Sequence, residues 1–248
     1  EPGTSRISHA LKLGTLSARS CLDAVRRAVQ RRPEAAKAAQ KWIDELLWRE
    51  FFYHILWHFP HVATSAFKSQ FDRVAWRDDP QDFARWQRGE TGYPIVDAGM
   101  RQLRDTAWMH NRARMIVAMF LTKDLLIDWR QGERHFMRFL ADGDLASNNG
   151  GWQWCAGSGA DGAPYFRIFN PTTQAIRFDP AGVYVRRYLP ELAKLPDAWI
   201  HEPWRAPAHV LAEAKVTLGK TYPRPIVDHA SARIRALAAY GAIRKSLE

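Results

Sequence analysis

Residues 108–115 read WMHNRARM and residues 142–154 read DGDLASNNGGWQW, with an apolar segment between the two stretches. They place Arg114, Asp142 and Asp144 among apolar neighbours. A charge in apolar surroundings is costly unless it pairs with an opposite charge or binds a ligand. The two stretches therefore predict a large, partly ionic ligand held inside the domain.

Helical spacing sharpens this prediction for the first stretch, since a helix has about 3.6 residues per turn. One stripe of such a helix carries Trp108, Asn111, Arg112 and Met115, with Arg114 on its flank. An aromatic ring, an amide, a guanidinium group and a thioether on one stripe are more typical of a binding site than of a core.

The composition narrows the class of protein. The 248 residues are 46% hydrophobic and 12% aromatic, enough for one large folded domain or two small ones. The net charge of +10 indicates a polyanionic partner, and the eleven tryptophans favour nucleic acid because bases stack on aromatic rings. No apolar run predicts a membrane span. Cys21 and Cys155 form no disulfide framework, which is typical of a reducing cytoplasm.

Proline, glycine and capping residues divide the chain into helices. The predicted helices cover about 17–30, 33–59, 94–106, 109–128, 131–141 and 228–245, with short helices within 163–180 and an irregular Pro-rich wrap over 195–225. The second half of 33–59 is apolar on nearly every side, so we expect it to be buried. The polar stretch 72–93 has turns at Pro80 and Gly89. No segment alternates with period two, and the sequence predicts an all-α fold.

Two short patterns allow two interpretations each. The stretch TSRIS at residues 4–8 either binds phosphate groups or caps a helix, and the residues alone favour capping. Glu45 and Arg49 have the spacing of an ion pair within a helix. However, a helix without a polar face is an unusual place for a surface ion pair.

Metal binding is the alternative interpretation of two further patterns. The histidines at 54, 58 and 61 have suitable spacing, but no cysteine or carboxylate nearby completes a set. Asp142 and Asp144 have the D-x-D spacing of magnesium–diphosphate enzymes. Such a pair commonly follows a β-strand, and none is predicted here. The sequence therefore predicts no metal site.

Six motifs occur in one order: TSRIS, WIDELLWREF, TGYPIVDAGMRQL, WMHNRARM, DGDLASNNGGWQW and APYFRIFNPTTQ. Together they resemble the FAD-binding helical domain of the photolyase/cryptochrome family over nearly the whole chain, to about Trp204. The resemblance implies a single multi-helix domain over 1–248, without a substantial sheet, that binds FAD and DNA. It also implies that the family's N-terminal α/β domain, with its antenna chromophore, lies outside this chain. A start without Met likewise indicates an excised piece.

The resemblance assigns FAD contacts to residues throughout the chain. The implied set is Thr4, Ser5, Arg6, Ile7 and Ser8 at the diphosphate, Arg49 nearby, and Trp42, Trp108, Asn111, Arg114, Asp142, Gly143, Asp144 and Asn148. Asp142 is expected to pair with Arg114, and Asp144 to accept a hydrogen bond from the flavin ring. Asn148 is expected to face flavin N5, where its amide offers both a donor and an acceptor.

The resemblance also implies a pocket for a flipped-out pyrimidine dimer. Its expected residues are Glu45, Trp48, Asn111, Arg112, Met115, Trp154 and Gln174. Trp48 and Trp154 are expected to hold the dimer, and Glu45 to stabilise its radical anion by a hydrogen bond. The family's order makes Trp152, Trp129 and Trp76 an electron relay to the flavin. The residues alone would indicate core tryptophans.

Single positions favour a class I cyclobutane pyrimidine dimer photolyase of bacterial type. The (6-4) photolyases carry His at positions 111 and 115, DASH-type cryptochromes usually Tyr at 48 and 154, and other cryptochromes Asp or Cys at 148. The implied activity is light-driven dimer repair by electron transfer from reduced, anionic FAD. We expect a monomer that acts on bacterial DNA in the cytoplasm. The alternatives are a cryptochrome photoreceptor using the same flavin and tryptophan chain without repair, and a helical nucleic-acid-binding module without a cofactor.

Overall fold

The computed structural model describes residues 4–161 and 163–245. Within these ranges the chain forms α-helices joined by short 3₁₀ turns and loops, and the only β-type pairing is an isolated bridge between Leu218 and Tyr222. The helices are α1 (Ser8–Leu13), α2 (Ala18–Arg31), α3 (Ala36–His58), α4 (Pro80–Arg88), α5 (Pro94–Thr106), α6 (Asn111–Met119), α7 (Trp129–Phe139), α8 (Leu145–Ala156), α9 (Pro171–Phe178), α10 (Val183–Tyr188), α11 (Ala208–Glu213) and α12 (His229–Lys245). The prediction of an all-α fold is confirmed.

Local capping residues set most helix ends. Ser17 caps α2 by accepting a hydrogen bond from the backbone N–H of Ser20 at 3.0 Å. Pro94 is the first residue of α5, where its missing N–H costs no hydrogen bond. These helices, α3 and α12 therefore lie where the sequence predicted them, within a few residues.

Helix α4 was missed because its two end residues were interpreted only as turns. Asp79 caps it by accepting from the backbone N–H of Asp82 at 2.9 Å, and Gly89 ends it with a left-handed backbone at φ 66°. Proline at the start and glycine just past the end are signals that bracket a helix as well as signals of turns.

The helix predicted over 109–128 is shorter and starts later. The ring of His110 accepts a hydrogen bond from the backbone N–H of Arg112 at 3.1 Å, so the helix begins at Asn111. Trp108 precedes α6 and is not part of its stripe. After Met119 the chain passes into a π-helical turn, Phe120–Asp124, before α7 begins at Trp129.

The main core surrounds α5 and α6. Every residue from 91 to 100 is buried, and Trp86, Phe120 and Trp129 are among the largest fully buried side chains. A second cluster, under the C-terminal wrap, contains Val185 and Tyr222. These clusters hold α5 to α8 as one body against which the site is built.

Helix α3 is much less buried than predicted. Of its residues only Leu46 is buried, Trp48 is 42% exposed and Trp57 is 81% exposed. The helix packs against α2 and α8, and Phe52 contacts Gly150 of α8 closely. Its other apolar side chains are half-buried or exposed, and several of them line cavities. The expectation of a buried helix was wrong because apolar side chains can line a cavity instead of packing in a core.

Within residues 4–161 and 163–245, no helix is both long and apolar enough to cross a membrane. Cys21 and Cys155 are buried free thiols. In the same described ranges, no group of three histidine, cysteine or acidic residues has the arrangement of a metal site.

Candidate functional site

Two adjoining cavities are lined by residues of α3, α6 and α8. The first, which we call the polar cavity, has a volume of about 560 Å³. The second, the aromatic cavity, has a volume of about 380 Å³. Both lie in the range of small-molecule and cofactor sites. The residues that line both cavities are Glu45, Arg49, Asn111, Arg114, Asp142, Asp144 and Ser147.

The polar cavity brings the N-terminal stretch next to α3 and α6. Residues 4–8, Lys12, Trp42, Trp108 and His110 all contribute to its lining. Arg6 has a left-handed backbone at φ 53°, and its guanidinium carbon lies 4.6 Å from the centre of the Trp108 ring. Such backbone strain persists where the surroundings enforce it, commonly at ligand sites. Residues 4–8 thus line a cavity, and their contact with a diphosphate stays a prediction.

The predicted pair between Arg114 and Asp142 is present. Nη2 of Arg114 donates to both carboxylate oxygens of Asp142, at 3.0 and 2.8 Å, and Nε donates to the carbonyl oxygen of Met109 at 2.7 Å. The carboxylate side chain of Asp142 is only 4% exposed. Arg114 therefore stabilises the buried charge of Asp142, and the pair forms a polar part of the lining of both cavities.

Asp144 joins three parts of the chain. It caps α8 by accepting from the backbone N–H of Ser147 at 2.9 Å, it accepts from the hydroxyl of Tyr53, and Nζ of Lys12 lies 3.7 Å away. Burial alone raises the pKa of Asp144, but these hydrogen bonds and the lysine charge outweigh burial and lower that pKa below its ordinary value. The sequence did not identify Tyr53 or Lys12 as site residues.

Arg49 does not pair with Glu45, which answers the question left open by their spacing. Its Nη1 donates to Glu50 at 2.5 Å, and its guanidinium carbon lies 4.4 Å from the centre of the Tyr53 ring. In the described part of the chain the carboxylate of Glu45 has no hydrogen bond or ion pair. Glu45 lines both cavities, so its carboxylate is available to a ligand.

The aromatic cavity has a mostly apolar lining. Its side chains include Trp48, Phe52, Met115, Phe136, Trp152 and Trp154. Trp48 packs against Phe51 and Phe52, with ring centres 5.6 and 5.9 Å apart. The structure thus brings Trp48, Trp154, Glu45, Asn111 and Met115 into one cavity. A flat, uncharged ring system fits such a lining.

Two residues expected in the same pocket lie elsewhere. Arg112 lines the polar cavity, and its guanidinium carbon lies 4.6 Å from the centre of the Phe178 ring on α9. Gln174, also on α9, is absent from the lining of both cavities. Its Oε1 atom is buried without a hydrogen-bond partner. Their role in lesion binding stays a prediction.

Asn148 is oriented by a residue that the sequence did not single out. Its Nδ2 donates to the backbone oxygen of Glu133 at 3.0 Å and to Oε1 of Glu133 at 3.3 Å. This leaves the amide oxygen of Asn148 as the group available at the aromatic cavity. Burial raises the pKa of Glu133. The two residues lie on different helices, α7 and α8, so no periodicity would have connected them.

The three tryptophans expected to form a relay differ in burial. Trp129 and Trp152 are buried, whereas Trp76 is half-buried. Trp152 contacts Gly132, one turn after Trp129, and a methyl group at Gly132 would lie 2.1 Å from the Trp152 ring. Among the described residues no two of these three rings are in direct contact. The relay therefore stays a prediction.

The rings that these tryptophans do contact are other aromatic side chains. The ring centre of Trp152 is 5.0 Å from that of Phe136 and 6.1 Å from that of Trp86. The ring centre of Trp76 is 6.1 Å from that of Tyr240. Trp86 and Tyr240 were not among the predicted site residues, because a buried aromatic has no distinguishing sequence signal.

The sequence of this chain is similar to a known protein family and to several curated proteins. Residues 42–242 match a family described as the FAD binding domain of DNA photolyase. The deoxyribodipyrimidine photo-lyase of Escherichia coli is 53% identical over 98% of this chain and 50% of its own length. That of Agrobacterium fabrum is 52% identical over 99% of this chain and 51% of its own length. The chain spans about half the length of these curated relatives.

Solved structures agree with the sequence comparison. A bacterial class III photolyase from Agrobacterium tumefaciens superimposes with a TM-score of 0.96 at 53% identity, covering 99% of this chain and 50% of that one. A cryptochrome from Synechocystis superimposes with a TM-score of 0.90 at 39% identity, covering 95% of this chain and 48% of that one.

Proposed function

Because the chain belongs to the family of the FAD-binding domain of DNA photolyase, we propose that it binds FAD and uses light to repair cyclobutane pyrimidine dimers in DNA. The observation that carries the proposal is the pairing of a charged cavity with an aromatic cavity across a shared wall. A dinucleotide cofactor fits the charged cavity, and a flipped-out pyrimidine dimer fits the aromatic cavity.

The residues present fit FAD. Residues 4–8, Lys12 and Arg49 offer the hydroxyl groups and cations that bind a diphosphate. The Arg114–Asp142 pair and Asp144 provide donors and acceptors suited to the polar edge of a flavin ring. Trp42, Trp108, Asn111 and Gly143 would complete this set. We place the flavin ring at the wall that the two cavities share.

Bound FAD, in its reduced and anionic form, would supply the light-driven one-electron transfer to the dimer. The chain's own residues supply position and a dry environment. Glu133 holds the NH₂ group of Asn148, so the amide presents its oxygen to the ring. Such fixed dipoles cost no reorganisation during the reaction.

The aromatic cavity would bind the dimer. Trp48 and Trp154 offer ring faces for stacking and apolar contact, and Met115 adds a flexible apolar contact. The unpaired carboxylate of Glu45 would hydrogen-bond a carbonyl or imide group of the dimer and so stabilise its radical anion. Arg112 and Gln174, which lie outside this lining, would contact the surrounding DNA. Trp76, Trp129 and Trp152 would return the flavin to its reduced state.

The second candidate is a photoreceptor, which the similarity to the Synechocystis cryptochrome favours. A photoreceptor needs the flavin and the tryptophans, but it does not need Glu45, Trp48 and Trp154 in one cavity. Their convergence favours repair.

Class I and class III photolyases are both candidates for the subfamily, since a class III photolyase is 53% identical to this chain. We further propose that the chain acts as a monomer on bacterial DNA in the cytoplasm, with any antenna chromophore held outside it.

The test is a pair of salt titrations on dimer-containing and undamaged DNA, with the FAD-loaded chain fully reduced. Base–aromatic stacking contributes about 1–3 kcal/mol per base. Trp154→Ala should therefore remove most of the preference for damaged DNA. The slope of log affinity against log salt should not change, because it reports phosphate contacts.

Trp57→Ala is the matched control, because Trp57 is 81% exposed and lines neither cavity. It should keep the wild-type preference. A wild-type chain without any preference for dimer-containing DNA would contradict the repair function, and the photoreceptor function would then lead.

A second experiment tests the relay. Trp152→Phe keeps most of the packing but removes the easily oxidised indole. Photoreduction of oxidised flavin, followed by absorption, should slow sharply, while repair by chemically reduced enzyme stays nearly intact. Unchanged photoreduction would remove Trp152 from the relay.

A further inference from the structure

A fixed guanidinium group lies on the ring of one tryptophan of the predicted relay. The guanidinium carbon of Arg130 is 4.7 Å from the centre of the Trp129 ring. Trp129 is fully buried, and the two residues are adjacent at the start of α7. Arg130 therefore has a contact with the relay that the proposed function does not use.

Arg130 is held in this position by three acceptors. Its Nε donates to the carbonyl oxygen of Thr64 at 2.7 Å, and Nη2 pairs with Asp72. Its Nη1 lies 3.3 Å from both carboxylate oxygens of Asp128, the residue that caps α7. Thr64 and Asp72 lie in the chain segment that leads to Trp76. The guanidinium group is therefore fixed between α7 and that segment.

The other two tryptophans of the predicted relay lack such a charge. Among the described residues, no lysine or arginine lies over the ring of Trp76 or Trp152. The aromatic rings beside Trp152 belong to Phe136 and Trp86, which are uncharged. In the described part of the chain, the relay thus has a cation on the ring of Trp129 alone.

A cation on a ring face has opposite effects on the neutral and the oxidised ring. The neutral indole attracts the guanidinium group through its electron-rich face. An indole that has lost an electron is itself a cation, and the two positive charges repel each other. Asp72 and Asp128 offset part of this repulsion, but both are partly exposed, so water and salt screen their charges. Trp129 is therefore harder to oxidise than it would be without Arg130.

We propose that Arg130 destabilises the oxidised form of Trp129, so that an oxidation passes through Trp129 to Trp76 and does not rest there. This inference rests on the proposed function, in which the three tryptophans reduce the flavin. Arg130 touches neither flavin nor DNA in this role, and it acts only through the Trp129 ring.

Each step of the relay moves one electron inward and no proton. Trp152 gives an electron to the excited flavin, Trp129 returns one to Trp152, and Trp76 returns one to Trp129. A thiol reductant in solution then gives an electron to Trp76 and is itself oxidised towards a disulfide. Trp76 is half-buried and can meet such a reductant, whereas Trp129 is fully buried. An oxidation that rests on Trp129 is therefore lost when the electron returns from the flavin.

The experiment follows the absorbance of the tryptophan radical after a laser flash, in the chain loaded with oxidised FAD and without a thiol. All variants carry Trp76→Phe, so the relay ends at Trp129 and the electron returns through Trp152. Arg130→Gln removes the charge and lowers the free energy of oxidised Trp129. The return through Trp152 becomes more uphill, so the radical should decay about two- to fivefold more slowly.

Two further variants separate the charge from the hydrogen bonds of Arg130. Arg130→Lys keeps a positive charge and should leave the decay close to that of the parent. Arg130→Met is a second neutral variant without hydrogen-bonding groups, and it should slow the decay as Arg130→Gln does. Arg138→Gln, which removes an exposed charge from the last turn of α7, is the matched control and should change nothing. Thermal unfolding checks that each variant is folded.

The outcomes separate this inference from the proposed function. If Trp152→Phe leaves photoreduction unchanged, the relay and the role of Arg130 both fail. If Trp152→Phe slows photoreduction but neither neutral variant of Arg130 slows the radical decay, the role of Arg130 is wrong and the relay stands. If Arg130→Lys slows the decay as much as Arg130→Gln, the charge is not the cause and the inference is also wrong.

Discussion

Helices α3 and α8 both line the two cavities, but their side chains are held in different ways. On α8, Trp152 and Cys155 of the cavity lining are buried, and Asn149 and Gln153, which line neither cavity, both donate to the carbonyl oxygen of Val62, at 2.9 and 3.0 Å. On α3 only Leu46 is buried, and Glu45 and Trp48 are exposed. One wall is thus part of the core, and the other is a surface open to a ligand.

This difference separates stability from binding. Helix α8 is held by hydrogen bonds and close packing, so changing its buried side chains costs folding free energy. We expect side chains of the α3 wall to gain burial when a ligand binds. Substitutions there should change affinity with little effect on the free energy of unfolding.

The largest expected effect comes from removing Asp142 beside the α8 wall. Asp142→Ala leaves the guanidinium of Arg114 unpaired in a half-buried position, which should destabilise the fold by about 2–4 kcal/mol and weaken flavin retention. Chemical denaturation and the flavin absorbance of the purified chain measure the two effects. Asp105→Ala, which breaks an exposed pair with Arg104, should cost less than about 1 kcal/mol. A full flavin complement in Asp142→Ala would contradict this placement of the flavin.

Adjacent glycines test the contact between the two walls. A methyl group at Gly150 would lie 2.1 Å from the ring of Phe52 on α3, whereas a methyl group at Gly151 would have no atom within 4 Å. Gly150→Ala should therefore destabilise the chain by about 1–3 kcal/mol through overpacking. Gly151→Ala should stabilise it by about 0.5–1 kcal/mol, because alanine favours the helix. Equal midpoints of thermal unfolding would show that α3 moves freely against α8.

One hydrogen bond, from Tyr53 of α3 to the Asp144 carboxylate that caps α8, joins the walls directly. Its contribution depends on pH in a definite direction. The pKa of Asp144 is lowered in the folded chain. The stabilisation is therefore complete above the ordinary pKa of aspartate, near 3.8, and is lost as pH falls through the lower folded value.

Tyr53→Phe should accordingly cost about 1 kcal/mol at pH 7 and progressively less as pH falls below about 4. Urea unfolding at several pH values measures this difference. Phe51→Leu, on the same helix and without a hydroxyl group, should show a difference that does not depend on pH. The same pH-independent cost for Tyr53→Phe would mean that the hydroxyl contributes only packing.

The smallest effect on stability is expected for the α3 wall itself. Trp48 is 42% exposed, and its ring contacts Phe51 and Phe52 of its own helix. Trp48→Ala should change the free energy of unfolding by less than about 1 kcal/mol. The same variant should lose preference for dimer-containing DNA. A large loss of stability would show that α3 belongs to the core and would remove the contrast between the walls.

The sequence alone was a good guide to most features whose signal was local. Ser17, Pro94 and the stop before Pro60 mark helix ends through contacts within a few residues, and the corresponding helices were located correctly. The Arg114–Asp142 pair was also predicted, but from the family resemblance; the residues alone indicated only that these charges needed a partner or a ligand. Helix α4 was missed although its end signals were local, since proline and glycine mark turns as well.

Other features depended on which helices lie side by side. Tyr53 donates to a carboxylate 91 residues further along the chain, and Glu133 holds an amide 15 residues away on the next helix. The exposure of Trp48 and Trp57 on an apolar helix was likewise decided by the cavities and solvent beside α3. Periodicity reports which faces of a helix are apolar. It does not report what those faces meet, because that depends on how the separate helices pack.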